Sequence, residues 1–414
     1  MKKIQILLST YNGEAHLREQ LDSYLALNGF ESVKVLIRDD GSTDGTLDIL
    51  HEYVDKHGFE LIEGENVGLN ASMHQLVQAC DLECDYFSFS DQDDVWLPDK
   101  LERASDALDK EDNSIPLLYS ACSTITDDSL APKGHTLIAR RPLSFYNSMI
   151  QNACIGHTQV CNRELIKLLR MHFSDDIYVH DSWVYTVATA FGKAIFDPTC
   201  VALYRQHTNN VIGYETSKLK NFMKRLKRLR TGKSRRYSYQ LRAFCSLYAD
   251  TIPDEYIREC KKYFEKQRNF FTRLGYIMTT KMYRQTRLEG LIFRLMYLFG
   301  KYNLKNIYIM SNAKVNYSDL VELGFKKMEI NDCVHQSQYG YPYFILTYGE
   351  EGDQVSMEWS PVSREVNLYL NSHTYQTGLS LDEVKKIIYM LDTDLYTDQW
   401  ADADYIKDDT CECE

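Results

Sequence analysis

The first ninety residues alternate short apolar runs with polar, glycine-bearing segments and helical spacings. Ile4 to Ser9 reads as a strand, and after Thr10, Tyr11 and Asn12 the residues Leu17, Leu21 and Leu25 recur at the spacing of one helix face. Val33 to Ile37 predicts a second strand, ending in Asp39, Asp40, Gly41, Ser42, Thr43 and Asp44. Phe59 to Ile62 predicts a third, ending in Glu65, Asn66, Val67 and Gly68. Tyr86 to Phe89 predicts a fourth, followed by Asp91, Asp93 and Asp94 and a helix starting near Pro98. Strands alternating with helices predict an α/β fold with a Rossmann-like open sheet. Their polar residues all fall at strand C-terminal ends, the edge of such a sheet where ligands bind.

After residue 215 the pattern changes. Leu219, Phe222, Met223, Leu226 and Leu229 share a helical face surrounded by basic residues, and Leu291, Ile292, Leu295, Met296, Leu298 and Phe299 give a second apolar surface flanked by Arg287, Arg294 and Lys301. Charge follows the same division. The chain carries a net −12, yet residues 218–301 hold 22 Lys or Arg against 6 Asp or Glu, and the segments on either side are acidic. Farther on, Ile307 to Met310, Tyr343 to Thr347, Val355 to Trp359 and Val366 to Leu370 read as strands, and Ser380 with Glu383 forms a helix-opening capping box. The expected organisation is an α/β catalytic domain over 1–215, a basic amphipathic helical region over 216–301, a small α+β module over 302–395 and an acidic tail over 396–414.

Three carboxylates after a buried strand suit a hard divalent cation, Mg²⁺ or Mn²⁺, which commonly sits between one or two protein carboxylates and substrate phosphates. The same residues also fit a solvated acidic turn. Their company favours chemistry. STYN at Ser9 to Asn12, DDGSTDGT at Asp39 to Thr46, ENVG at Glu65 to Gly68, DQDD at Asp91 to Asp94 and HDSW at His180 to Trp183 occur in the order found in the inverting GT-A glycosyltransferases, the "glycosyl transferase family 2"-like group, which this sequence resembles. SDQDDVWLPDKL and YRQHTNNVIG, at Tyr204 to Gly213, look most like its rhamnosyltransferase branch. The resemblance covers about the first 215 residues.

The resemblance implies a DXD motif in which Asp93 is the first-choice metal ligand, Asp91 meets the ribose or the metal's water shell, and Asp94 is a weaker candidate. His207 would add a contact to metal or diphosphate, or be a loop histidine; Arg205 would pair with phosphate. Asp40 would read the pyrimidine imide, Tyr11 and Thr10 would line the nucleotide pocket, and Asn66 and Gly68 would border it. Asp39 and Asp44 are better explained as turn and cap residues. Asp181 matches the catalytic base, with His180 where a Glu is usual, and also fits a cap on a helix starting at Ser182. Trp183 is either an acceptor platform or a core aromatic. The implied activity is transfer of a sugar, L-rhamnose from dTDP-L-rhamnose by motif wording or a hexose from a UDP-sugar, onto a lipid-linked glycan in cell-wall or other surface polysaccharide biosynthesis. A non-catalytic membrane-associated scaffold of the same fold is the alternative.

Composition narrows the setting. Eleven cysteines without zinc-ligand pairing suit free thiols in a reducing compartment. No signal peptide pattern follows Met1, and no run approaches the roughly 20 apolar residues that span a bilayer. Nothing resembles a helix-turn-helix or RNA-recognition motif, so no nucleic-acid partner is expected. The basic amphipathic segments either pack on the catalytic domain or meet an anionic leaflet, which places the chain in the cytoplasm, peripheral to the inner face of the membrane.

Overall fold

A computed structural model describes residues 2–206, 235–249 and 251–303 in full and, beyond them, the backbone of five strands. The chain divides into two compact units, Met1–Ile307 and Tyr308–Glu414. In the first, strands β1 (Ile4–Thr10), β2 (Val33–Asp39), β3 (Glu60–Glu63) and β4 (Tyr86–Ser90) match the four expected runs to within a few residues. They pair in parallel in the order β3-β2-β1-β4. All seven residues of β1 and all five of β4 are buried, as a parallel strand covered on both faces requires.

Helices α1 (Leu17–Leu25), α2 (Thr46–His57) and α3 (Leu69–Ala79) connect these strands. Leu17, Leu21, Ile49 and Leu50 lie in the same core as Ile6, Leu8 and Ile37. Helix α2 stops at Gly58, whose φ of 69° supplies the left-handed cap that a β-carbon would strain.

The sheet continues through strands that sequence spacing did not reveal: β5 (Val95–Trp96), β6 (Leu117–Thr126), β7 (Pro132–His135), β8 (Val160–Asn162) and β9 (Lys193–Arg205). Beyond β4 the order is β8-β6-β9-β5, with β7 paired to β6. Strand β8 is antiparallel to β4 and β6, whereas β6 and β9 run parallel. Helices α4 (Lys100–Leu108), α5 (Phe145–Ser148), α6 (Arg163–Met171) and α7 (His180–Phe191) complete this half.

The basic region then adds α8 (Arg235–Leu247), α9 (Asp254–Glu265), α10 (Phe270–Thr279) and α11 (Arg287–Leu298). Helix α8 packs on α5 and α7, with the Phe244 ring 5.4 Å from Phe145 and 5.9 Å from Trp183. Trp183 is therefore a buried core aromatic. The expected basic helix at Leu219 to Arg230 lies outside the described residues. No described helix is long and apolar enough to cross a membrane.

In the second unit, β10 (Lys326–Lys327), β11 (Phe344–Tyr348), β12 (Val355–Trp359), β13 (Val366–Leu370) and β14 (His373–Leu379) form an antiparallel sheet in sequence order. The three strands expected between Tyr343 and Leu370 are present within one residue. The strand at Ile307 to Met310, the helix opening at Ser380 and the acidic tail lie outside the described residues.

Candidate active site

The ends of β1, β2 and β4 are stitched together by their own polar residues. Thr10 donates through its hydroxyl to Asp39 Oδ1 at 3.0 Å, and Asp39 also accepts from the Ser42 amide and hydroxyl at 2.8 and 2.6 Å. Asp39 thus holds the turn, as its sequence context implied. Asp44 accepts from the Thr46 amide and hydroxyl at the start of α2. Gln92 makes a paired contact with the Tyr11 backbone, accepting from its N–H at 2.8 Å and donating to its carbonyl at 3.0 Å. The ring of Tyr11 is left 46 % exposed above this edge, where it can stack on a planar base.

Asp40 is placed differently from the expectation of direct base reading. Its carboxylate is 3 % exposed and paired with the buried Arg38, and its two oxygens accept from the Val67 and Gly68 amides at 2.9 Å each. Arg38 also donates to Gln75, Ser72 and the Glu65 carbonyl. With its acceptor sites already engaged, Asp40 fixes the Glu65–Gly68 loop instead of presenting a free edge. Asn66 is exposed on that loop, and Gly68, at φ 80°, turns the chain into α3.

Around the D-x-D, the residues brought together are Asp91, Asp94 and His157, whose ligand atoms lie within 4.8 Å of one another. Asp94 and His157 are fully buried, and Asp91 is partly exposed. His157 Nε2 meets the Ser123 hydroxyl at 2.8 Å, turning Nδ1 toward Asp94 Oδ2 at 3.2 Å and Asp91 Oδ2 at 3.5 Å. Asp94 Oδ2 and His157 Nδ1 make no hydrogen bond despite their burial. Burial drives the Asp94 carboxyl up to about 7; His157 partly offsets this, and Asp93 and Asp91 add to the rise. The His157 imidazole is also raised, because the two carboxylates outweigh its burial. Burial pushes Asp91 up as well, but the adjacent His157 leaves it below its ordinary value. A carboxylate oxygen and an imidazole nitrogen, both buried without a hydrogen-bond partner beside a second carboxylate, are atoms that fit a divalent cation.

This grouping departs from the expected ligand set. Asp94 takes the central place assigned to Asp93, and His157, which lies in a polar turn with no periodic signal, was not foreseen. His207 lies outside the described residues. Arg205 is also committed elsewhere: its guanidinium donates to the carbonyls of Asp93 and Asp128 and pairs with Glu19, while its amide donates to Asp94 Oδ1 at 3.1 Å. It clamps the end of β9 to the acidic loop.

Across this cluster stands Asp181, in the first turn of α7. The helix begins at His180, so Asp181 lies inside it. Its Oδ1 accepts from the Ser182 amide at 2.7 Å and its Oδ2 from the Gly156 amide at 3.1 Å. Burial raises its carboxyl above the ordinary value, His180 and these amides opposing the shift and the charge of Asp91 adding to it. His180 packs its ring 5.8 Å from Phe89, and neither ring nitrogen has a hydrogen-bond partner. Asn70, just inside α3, donates to the Ile177 carbonyl and accepts from the His180 amide at 2.9 Å each, so the loop entering α7 is tied to the Glu65–Gly68 side of the site.

A parallel sheet edge carrying a carboxylate and imidazole cluster, with a second carboxylate of raised proton affinity beside it, is the arrangement expected at the site of a GT-A sugar transferase. Residues 5–168 match the model for glycosyl transferase family 2, so this part of the chain is similar to that family of glycosyltransferases. The chain is 28 % identical over 259 residues to a dTDP-rhamnosyl transferase, RfbG, of Shigella flexneri, a match covering 59 % of this chain and 85 % of the relative. It is 24 % identical over 213 residues to an uncharacterized glycosyltransferase, RT0329, of Rickettsia typhi, covering 49 % and 64 % of the two chains. Among solved structures, S. aureus TarS 1-349 in complex with UDP-GlcNAc superposes with a TM-score of 0.45 at 14 % identity, over 82 % of this chain and 98 % of that one.

Proposed function

We propose that this chain is an inverting, metal-dependent transferase that moves L-rhamnose from dTDP-L-rhamnose to a lipid-linked glycan of a cell-surface polysaccharide, working peripherally at the inner face of the membrane. The observation that carries the reading is Asp181, a carboxylate in the first turn of α7 held by the Gly156 and Ser182 amides next to the His157 turn. Inversion needs one base that takes the acceptor hydroxyl proton as that oxygen attacks the anomeric carbon. The new C–O bond forms as the bond to the diphosphate oxygen breaks, the nucleotide leaves with the electron pair, and the proton resides on Asp181. The Gly156 and Ser182 amides orient the carboxylate for this step.

On the donor side, Asn66 and Gly68 border the nucleotide pocket and Tyr11 stacks on the base, while Thr10, expected to line the pocket, is buried beneath it and braces Asp39. Asp40 holds the loop that gives the pocket its width. Asp91, Asp94 and His157 would hold Mg²⁺ or Mn²⁺, the imidazole favouring Mn²⁺. Such a cation supplies Lewis-acid neutralisation of the diphosphate as it departs. The donor identity is supported by the likeness to a dTDP-rhamnosyl transferase and by the wording of Ser90 to Leu101.

The test is thermal stabilisation of the purified chain by dTDP-rhamnose, UDP-glucose, UDP-galactose and GDP-mannose, with and without Mn²⁺. The largest Mn²⁺-dependent rise is expected with dTDP-rhamnose. A preference for a UDP-sugar would replace the donor and keep the chemistry. No shift with any donor would reject the donor reading.

A further inference from the structure

Two helices of the first unit turn apolar faces to solvent. On α10, Phe270, Phe271, Leu274 and Met278 are exposed, Phe271 to 80 % and Met278 to 76 %. On α11, Leu288, Leu291 and Leu295 form a stripe at helical spacing that Phe299 extends past the helix end. The helices pack through other faces: the rings of Tyr276 and Tyr297 lie 4.7 Å apart, and Arg273 donates to the Leu298 carbonyl at 2.8 Å. Each stripe therefore faces away from the core that the pair shares.

The rim of this surface is cationic. Arg287 and Arg294 are exposed beside the α11 stripe, and Arg268 and Lys281 lie near the two ends of α10. At the start of α11 a cavity of about 600 Å³ is lined by Arg140, Arg141, Gln285, Thr286 and Arg287. Gln285 accepts from the Arg140 and Arg141 amides at 3.0 and 2.9 Å, and the Arg141 guanidinium lies 3.9 Å from the Tyr283 ring centroid. These contacts fix the cavity wall. The first-turn carboxylate of α11, Glu289, accepts instead from Gln151 at 3.2 Å.

We propose that the α10–α11 face docks on an anionic phospholipid bilayer, with Phe271, Met278 and Leu291 inserted below the headgroups and lipid phosphates received by Arg140, Arg141 and Arg287. This rests on the peripheral membrane contact proposed above and assigns it to a surface. Exposed Phe, Leu and Met rimmed by cations match a partner that is apolar beneath and anionic at its edge. A second copy of the chain would set the same arginines against each other. The segment Lys218 to Arg242, with eleven Lys or Arg and no Asp or Glu, is repelled likewise.

The test is flotation of the full chain with vesicles of phosphatidylcholine alone or with 30 mol % phosphatidylglycerol. Binding at least about tenfold stronger to the anionic vesicles, and weakened by salt, is expected. Phe271→Ser with Met278→Ser and Leu291→Ser, all at exposed positions, should reduce it about tenfold or more. Arg140→Gln with Arg141→Gln and Arg287→Gln should reduce the preference for anionic lipid at least about threefold. Both variants should keep the donor-induced thermal shift, which separates this surface from the transferase reading. Undiminished binding by the triple variant would keep a membrane contact but overturn this face. A wild type that binds no vesicles, or a solution dimer that the triple variant dissolves, would overturn it too.

Discussion

In the proposed mechanism Asp181 is the side chain on which turnover depends most directly. Asp181→Asn preserves its shape and the helix start but cannot take a proton, so kcat should fall by about 10²–10⁴-fold while donor binding persists. Because burial raises this carboxyl, the acid limb of kcat/KM should lie above the usual carboxylate value of about 4. A limb at the ordinary value in a pH–rate profile would assign the base elsewhere. The cluster of Asp91, Asp94 and His157 gives a separate pH dependence. A cation needs Asp94 ionised and His157 neutral, so Mn²⁺-induced stabilisation should shrink as pH falls through about 7, where Asp94 takes up its proton. Without metal the sign reverses. Both groups bind protons more tightly in the folded chain, so their stabilising contribution is present at low pH and is lost as pH rises through their folded values. Asp91 has a depressed value and acts in the opposite sense, but in the window below the ordinary carboxylate range. Melting temperatures from pH 5.5 to 8.5 with and without Mn²⁺ measure both trends; parallel curves would remove the metal from this cluster.

At the scale of elements, the site depends on how α3 and α7 are joined. Asn70 bridges the Ile177 carbonyl and the His180 amide, so Asn70→Ala should release the entry to α7. The expected cost is about 1 kcal/mol of stability per hydrogen bond lost, together with a fall in kcat that exceeds any change in donor KM. An unchanged kcat despite the stability loss would show that α7 is positioned without it. The same elements show what the sequence disclosed. β1, β2 and β4 were legible because a parallel strand buried on both faces is a continuous apolar run ending in polar residues. β6, β8 and β9 were not, since Leu117–Thr126 mixes serine and threonine with apolar residues, and Val160–Asn162 is too short for any periodicity. His157 was missed for a related reason: its neighbours in the turn give no pattern, and its meaning comes from a long-range meeting with Asp91 and Asp94. Asp40 and Arg205 were recognised as site residues, but sequence cannot show that neighbouring amides and carbonyls have already satisfied them.

Over the whole molecule, charge and chemistry are divided along the chain. Every described residue assigned here to donor, metal or base belongs to the unit Met1–Ile307, which carries its own nine-stranded sheet. The Shigella flexneri relative matches over 59 % of this chain yet over 85 % of its own length, so a comparable transferase manages with a shorter polypeptide. The described part of unit two is an open antiparallel sheet paired in sequence order from β10 to β14. Because the residues proposed for donor, metal and base all lie in the first unit, ending the chain after residue 307 should leave the Mn²⁺-dependent donor shift within about 2 °C of the full chain. Removal of an acidic segment also takes away the charge that opposes an anionic surface, so the shortened chain should bind phosphatidylglycerol vesicles more tightly, and more so at low salt. Loss of the donor shift with a normal far-UV circular dichroism spectrum would mean that the second unit completes the donor site, and the assignment of the site to the first unit would fail.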